Sequence, residues 1–339
     1  MELAQAFLIF TVDVEADNQW GNGAVRSLRN IPALLRLADS LASGPFPATY
    51  LASYEVAADA AACDVLRQVT RDRGEIGAHF HPWATPPDDP ACRPGRSGDH
   101  PFPSSLPDAL FSAKFEALHQ KIADVFGRAA TAYRAGRLGV HPFTLRLLEK
   151  HGYRADSSVL PLSDWSGYTD TSGGRGPSFV QAPLVPYHPD AEDVAREGDS
   201  PLLEAPITVA APPLFHALGR FGRELQRTGR ARGALRRLFR GAGLAPRVFR
   251  FFPRTTVEEL LQCARWAVEG GSDALVFHIH SSELCPGASP YGPDRAAVER
   301  LFERIGELLA RLKAAGVRGE TLSGYAESFA RREAQGHAR

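Results

Sequence analysis

The sequence predicts an α/β fold built on a parallel sheet or barrel. Short apolar runs of strand length alternate with segments whose apolar residues recur at helical spacing. The first run, AFLIFT at 6–11, is apolar without alternation, as a strand covered on both faces is. Three strand candidates also end in polar pairs two residues apart: Asp13/Glu15, His79/His81 and His278/His280. Residues two apart on a strand share a face, and barrels of this class build their sites at the C-terminal ends of strands.

In order along the chain, strands are expected at Ala6–Thr11, Thr49–Ala52, Glu75–Phe80, Ala130–Arg134, Leu202–Val209 and Ala274–His280. Helices are expected at Ile31–Leu41, Val56–Arg71, Ala109–Phe126, His141–Lys150, Val257–Glu269 and Arg295–Ala315. The clearest stripe runs Phe111, Phe115, Leu118, Ile122, Phe126. Pro82–Pro107 and Ser157–Ser200 are rich in Pro, Gly, Asp and Ser and read as long loops over one end of the scaffold. The whole of 1–339 is expected to be one domain with loop insertions at about 82–107 and 157–200 and an arginine-rich helical insertion at about 213–254.

With 339 residues, 44% hydrophobic and 23% charged, the chain supports a sizeable core. The zero net charge removes the simple argument for nucleic-acid binding. The balance is uneven, however. From Arg220 to Arg254 there are eleven arginines and one acid, Glu224, so this segment carries 11 − 1 = +10 and the remainder −10. Cys63, Cys92, Cys263 and Cys285 form no Cys-x-x-Cys pair and fit a reduced protein better than a disulfide scaffold. MELAQAFLIFTVDVEAD has no basic start, and its apolar run is too short for a signal peptide or a membrane span. A cytoplasmic location is therefore expected.

Two carboxylates at a buried strand end are costly unless paired, protonated or bound to metal. Singly, each pair has a plain reading: a helix cap for the carboxylates, packed structural imidazoles for the histidines. Jointly they are more specific. Two His and one carboxylate make an open ligand set for Zn²⁺ or a similar divalent ion, with Co²⁺, Mn²⁺, Ni²⁺ and Fe²⁺ also suited. One carboxylate and one imidazole remain as base and acid.

TVDVE at 11–15, EIGAH at 75–79, YRAGRLG at 133–139, YRADSS at 153–158 and LVFHIHSSE at 275–283 occur in the order of a known motif set. On these residues the chain resembles the polysaccharide deacetylases of the NodB-homology group, carbohydrate esterase family 4. The DVE and H-x-H-P-W variants resemble its intracellular members associated with cell-surface polysaccharides. The resemblance implies a distorted (β/α) barrel and a metal-dependent deacetylase acting on an N- or O-acetylated sugar. It makes Asp13 the catalytic base and Glu15, His79 and His81 the metal ligands; the family's usual second histidine falls on Trp83. It implies that Arg134 orients the base, with Arg137 a second candidate, and that Asp156 supports the catalytic histidine. That histidine is His280, or His278 under the other alignment of the last motif.

Trp83, Trp165, Tyr168, Tyr187 and His188 lie in or beside the loops, and aromatic faces suit a sugar cleft, although such rings also pin loops down. Arg137 and His278 are further candidates for substrate contact. The arginine segment reads as a solvated helix, a phosphate-binding surface for a nucleotide sugar or lipid-linked glycan, or a contact with an anionic membrane through Leu218, Phe221, Leu225, Leu235, Leu238 and Phe239. Two rival readings stand beside the deacetylase: an inactive glycan-binding relative, and a small-molecule amide hydrolase on the same scaffold.

Overall fold

The computed structural model describes residues 3–19, 27–92, 101–170, 173–227, 233, 237–239, 241, 243 and 245–336. Its strands are β1 (Phe7–Val14), β2 (Ala48–Ala52), β3 (Glu75–Phe80), β4 (Ala132–Ala135), β5 (Ala155–Asp156), β6 (Leu203–Glu204), β7 (Val209–Ala210), β8 (Arg247–Val248), β9 (Ala274–His280) and β10 (Arg318–Gly319). Seven run parallel in the order β9-β1-β2-β3-β4-β5-β6. β10 pairs with the first two residues of β1, and β2 with its last five. Past β6 the chain turns back onto β9: the Thr208 amide donates to the Val276 carbonyl, and the Val276 amide donates to Thr208 Oγ1 at 2.8 Å. The sheet is thereby curled into a distorted (β/α) barrel of the NodB type.

Alternation along β1 sorts the core. Leu8, Phe10, Val12 and Val14 face the surrounding helices, while Phe7 and Ile9 join Leu51, Ala132, Ala155, Leu203, Ala205 and Val276 in a second cluster. The row Phe7, Ile9, Thr11, Asp13 therefore climbs the barrel interior from its apolar floor to its polar mouth. The interior is tight: a Cβ on Gly77 would lie 2.6 Å from Leu51 Cδ2 and 2.7 Å from the Ala132 carbonyl oxygen. The floor is sealed by a helix at Leu322–Ala334, whose Leu322, Tyr325 and Phe329 join the second cluster. Each such buried side chain is worth roughly 1.5–3 kcal/mol.

The outer helices follow the expected stripes. Ala33–Ala42 buries Leu34, Leu37 and Leu41; Asp108–Phe126 buries Phe111, Phe115, Leu118 and Ile122 and ends on Gly127 at φ 71°, where only glycine turns without strain. Val257–Glu269 begins with a capping box between Thr256 and Glu259. Arg295–Ala314 starts at Asp294, whose side chain accepts from the Ala297 amide. The expected strand over 202–209 is two short strands, β6 and β7, because the chain leaves the barrel sheet after Glu204 and pairs antiparallel with β8.

Among the described residues, the arginine segment has short helices at Pro213–Ala217 and Gly219–Glu224 and helical backbone at 237–239; much of 228–244 lies outside the described residues. No described helix is long and apolar enough to cross a membrane. All four cysteines are free.

Candidate active site

The polar pairs converge. In register, Asp13 stands beside His280 across β1 and β9, and His79 beside Arg134 across β3 and β4. Asp13 is 2% exposed. Arg134, wholly buried, donates from Nη1 to Asp13 Oδ1 at 2.7 Å; its Nε and Nη2 donate to the Ser157 carbonyl and Ser157 Oγ. One planar fork thus fixes the carboxylate against β4 and the turn after β5. Burial would raise the Asp13 carboxyl, but Arg134, then His79 and His278, outweigh it and hold Asp13 well below the usual carboxylate range.

Glu15 follows β1 on the same face, and its Oε2 lies 3.5 Å from His79 Nε2 and 3.2 Å from His81 Nε2. A tetrahedral Zn²⁺ with bonds near 2.0–2.1 Å sets ligand atoms about 3.3 Å apart, so this donor set has the dimensions of a metal site. The imidazole chemistry agrees. His79 Nδ1 lies 3.0 Å from the Arg134 carbonyl, which accepts its proton and leaves the Nε2 lone pair facing Glu15. His81 Nδ1 has no such partner, and its ring is held instead by stacking on Trp83 at 4.3 Å. Gly136 makes room for it: a Cβ there would lie 2.4 Å from His81 Cδ2. Burial would raise the Glu15 carboxyl, but His280 and then His79 and His81 hold it far below the ordinary range.

The histidines of β9 differ from each other. His278 Nε2 lies 3.0 Å from Asp13 Oδ2, and its Nδ1 faces the Arg250 guanidinium at 3.4 Å. A carboxylate accepts and a guanidinium donates, so His278 carries its proton on Nε2. Burial, with His280 and Arg134 adding to it, pushes its pKa down to about 3 against the pull of Asp13. His280 presents Nδ1 to Glu283 Oε1 at 2.9 Å, and its Nε2 lies 3.8 Å from Asp13 Oδ2.

The carboxylate on His280 is thus Glu283, not Asp156. Asp156 sits on β5, five places from β9 in the strand order, buried, accepting from Ser158 Oγ and facing Glu204 in register across β5 and β6. Burial pushes Asp156 up to about 6 and, with Asp156 beside it, Glu204 well above the carboxylate range. The sign follows. A carboxyl whose folded pKa exceeds its unfolded value binds its proton more tightly when folded, so its contribution to stability is full below the unfolded pKa and falls as pH rises from about 4 through 6. Between pH 4.5 and 7.5 the loss from Asp156 is on the order of 2 kcal/mol. Glu204→Gln keeps the acceptor for the Val159 amide and removes the like charge. Urea denaturation at the two pH values should show a flatter dependence in the variant, and equal slopes would contradict the shared burial.

A cleft of about 590 Å³ opens above these residues, lined by Asp13, Glu15, His79, His81, His278 and His280. Of the expected contacts, Trp83, Arg137, Trp165 and His278 line it. Arg137 and the next residue, Leu138, both stand in left-handed backbone, φ 51° and 57°, and the Arg137 guanidinium lies 4.0 Å from the centroid of Phe102. Non-glycine residues are held this way at a cost that concentrates at binding loops.

Tyr187 and His188 are not in the cleft, which corrects their expected role. Tyr187 is buried, donates to the Val194 carbonyl and pairs with Glu204; His188 contacts the Leu202 carbonyl and Glu333 of the floor helix. They pin the loop down. Tyr168 packs on Trp165 but is 55% exposed. Gln19, Phe102, Arg250, Phe252 and Tyr291 also line the cleft, unforeseen in the sequence. Gln19 Oε1 accepts from the Trp83 indole, an interaction between segments far apart in the chain.

No family model matches the chain, and no curated protein matches it. Solved structures do. The chain is similar to a Mycobacterium smegmatis protein described as a polysaccharide deacetylase, with TM-score 0.56 and 17% identity over 98% of this chain and 92% of that one. A Pseudomonas aeruginosa PAO1 protein described likewise gives 0.52 and 15% over 97% and 92%. A Parabacteroides distasonis protein described as a glycoside hydrolase/deacetylase gives 0.56 and 12% over 97% and 73%. The likeness establishes the fold. Among these neighbours the scaffold carries enzymes described as acting on sugars.

Proposed function

We propose that the chain is a metal-dependent carbohydrate deacetylase, removing an N- or O-linked acetyl group from a sugar during cell-surface polysaccharide synthesis. One observation carries the reading: an Arg134-held carboxylate, Asp13, stands between the Glu15–His79–His81 donor set and His280, its Oδ2 lying 3.8 Å from His79 Nε2 and from His280 Nε2. The neighbours described as deacetylases support it.

Glu15, His79 and His81 would hold a divalent ion, Zn²⁺ by its ligand preference, which when bound polarises the acetyl carbonyl and acidifies water. Asp13 takes the proton of the attacking water, its orientation set by Arg134 and by the His278 Nε2–H. His280 delivers a proton to the departing amine or alcohol. Trp83, Phe102 and Trp165 supply apolar faces for the sugar ring.

Acetate release from N-acetylated oligosaccharides, O-acetylated glycans and small acetamides tests the reading. Release that needs added metal and grows with sugar chain length supports it. Glycan binding without release would favour an inactive relative, and turnover of acetamides alone a small-molecule hydrolase.

We also infer a peripheral contact with the anionic cytoplasmic face of a membrane, where a lipid-linked glycan would be met. Leu214, Phe221 and Leu238 are 56%, 58% and 67% exposed, with Arg220 and Arg237 exposed beside them in sequence. Leu225 is buried, which removes it from the face the sequence implied; Leu235 lies outside the described residues. Binding to phosphatidylglycerol vesicles at low salt, weakened by Phe221→Ser with Leu238→Ser, is expected. No sedimentation with such vesicles would contradict the contact.

A further inference from the structure

Arg250 bridges the two histidines of β9. Its Nη1 faces His278 Nδ1 at 3.4 Å, and its Nη2 donates to Glu283 Oε1 at 2.7 Å. That same oxygen accepts from the His280 backbone amide at 3.0 Å and faces His280 Nδ1 at 2.9 Å. Glu283 is 1% exposed, yet burial does not neutralise it: Arg250 and His280 hold its carboxyl below the ordinary value. A buried carboxylate with three donors on one oxygen is fixed in position as well as in charge.

We propose that Glu283 and Arg250 are positioning residues that give the two histidines opposite work, His278 as a fixed donor to Asp13 and His280 as the proton donor to the leaving group. The proposal rests on the deacetylase reading above and adds positioning roles for Glu283 and Arg250, which none of the five motifs assigns.

The chemistry is specific. A guanidinium opposite His278 Nδ1 opposes a second proton on that ring, so His278 keeps its single proton on Nε2 and steadies Asp13. The Glu283 carboxylate accepts the proton of His280 Nδ1 and so fixes which ring nitrogen faces it. With Nδ1–H on Glu283, the Nε2–H points the other way, toward the cleft that His280 lines. As the carbon–nitrogen bond of an acetamide breaks, the Nε2 proton passes to the departing nitrogen and the ring becomes neutral. The proton that Asp13 removes from water balances the one His280 gives up. Arg250 is itself seated between aromatic rings, its guanidinium carbon 4.8 Å from the centroid of Phe252 and 5.3 Å from that of Tyr291.

The test compares leaving groups. An N-acetyl sugar requires a proton on its departing nitrogen, whereas 4-nitrophenyl acetate expels a stable phenolate without one. In metal-loaded full-length protein, Glu283→Gln should lower kcat for the acetamide roughly a hundredfold more than for the aryl ester. His280→Asn should show the same selectivity. The double variant should be no slower than His280→Asn alone, because residues acting as one unit are not additive. Equal losses on both substrates, or additive losses in the double variant, would overturn the proposal while leaving the deacetylase reading intact. Absence of acetamide turnover in wild type would overturn both. If Glu283→Gln does not fold, Arg250→Lys keeps the buried charge and is expected to show the same selectivity.

Discussion

Asp13→Asn should lower kcat for acetate release by roughly a thousandfold, within the range that a positioned general base supplies. The amide oxygen can accept from Arg134 or from the His278 Nε2–H, which end on different carboxylate oxygens, but not from both, and the amide cannot take a proton from water. Metal content should stay near that of wild type, because Glu15, His79 and His81 are untouched. The comparison is single-turnover acetate release against metal content on the same samples. Activity within tenfold of wild type would exclude Asp13 as the base.

Arg134→Met should be the most destabilising single change at the site. Arg134 is fully enclosed and makes three side-chain hydrogen bonds, to Asp13, the Ser157 carbonyl and Ser157 Oγ. Removing it strands a buried carboxylate, a loss of about 3–5 kcal/mol. Arg134→Lys should recover little, since a single ammonium cannot reach Asp13 and Ser157 together. Urea denaturation at pH 7 measures both. A loss below about 1 kcal/mol for Arg134→Met would mean that Asp13 is accommodated by its histidines alone.

Much of the fold was legible because parallel strands buried on both faces leave apolar runs of the right length. Glu75–Phe80, Val257–Glu269 and Ala274–His280 have the bounds that their patterns predict. β5, β8 and β10, two residues each, are too short to show any period. The floor helix repeats its apolar residues at Leu322, Tyr325, Ala326 and Phe329, a helical signal shorter than the pattern of 295–315 that precedes it.

The metal-type donors were legible for the same reason as the strands. Strand alternation aims Asp13 with Glu15 and His79 with His81 at one mouth, and parallel register brings those mouths together. What alternation cannot show is which distant groups meet. Glu283 closes the 275–283 motif with no role of its own in the sequence, and Arg250 is one arginine among eleven. Both are placed by the fold, which carries the end of the arginine segment past β8 to lie against β9. Asp156 drew attention by its motif, yet it faces Glu204, whose role depends on a two-residue strand. Tyr187 and His188 carry the right chemistry for a sugar site, but their partners, Val194, Leu202 and Glu333, hold them against the scaffold.

If Glu15, His79 and His81 hold a catalytic divalent ion, the purified protein carries it. Elemental analysis of tag-free protein tests it most directly, with wild type beside His79→Ala and His81→Ala. Close to one equivalent of metal is expected in wild type, with most of it lost in both variants. No metal in wild type after reconstitution would contradict a metal site at these residues, and metal retained in His81→Ala would remove His81 from the ligand set.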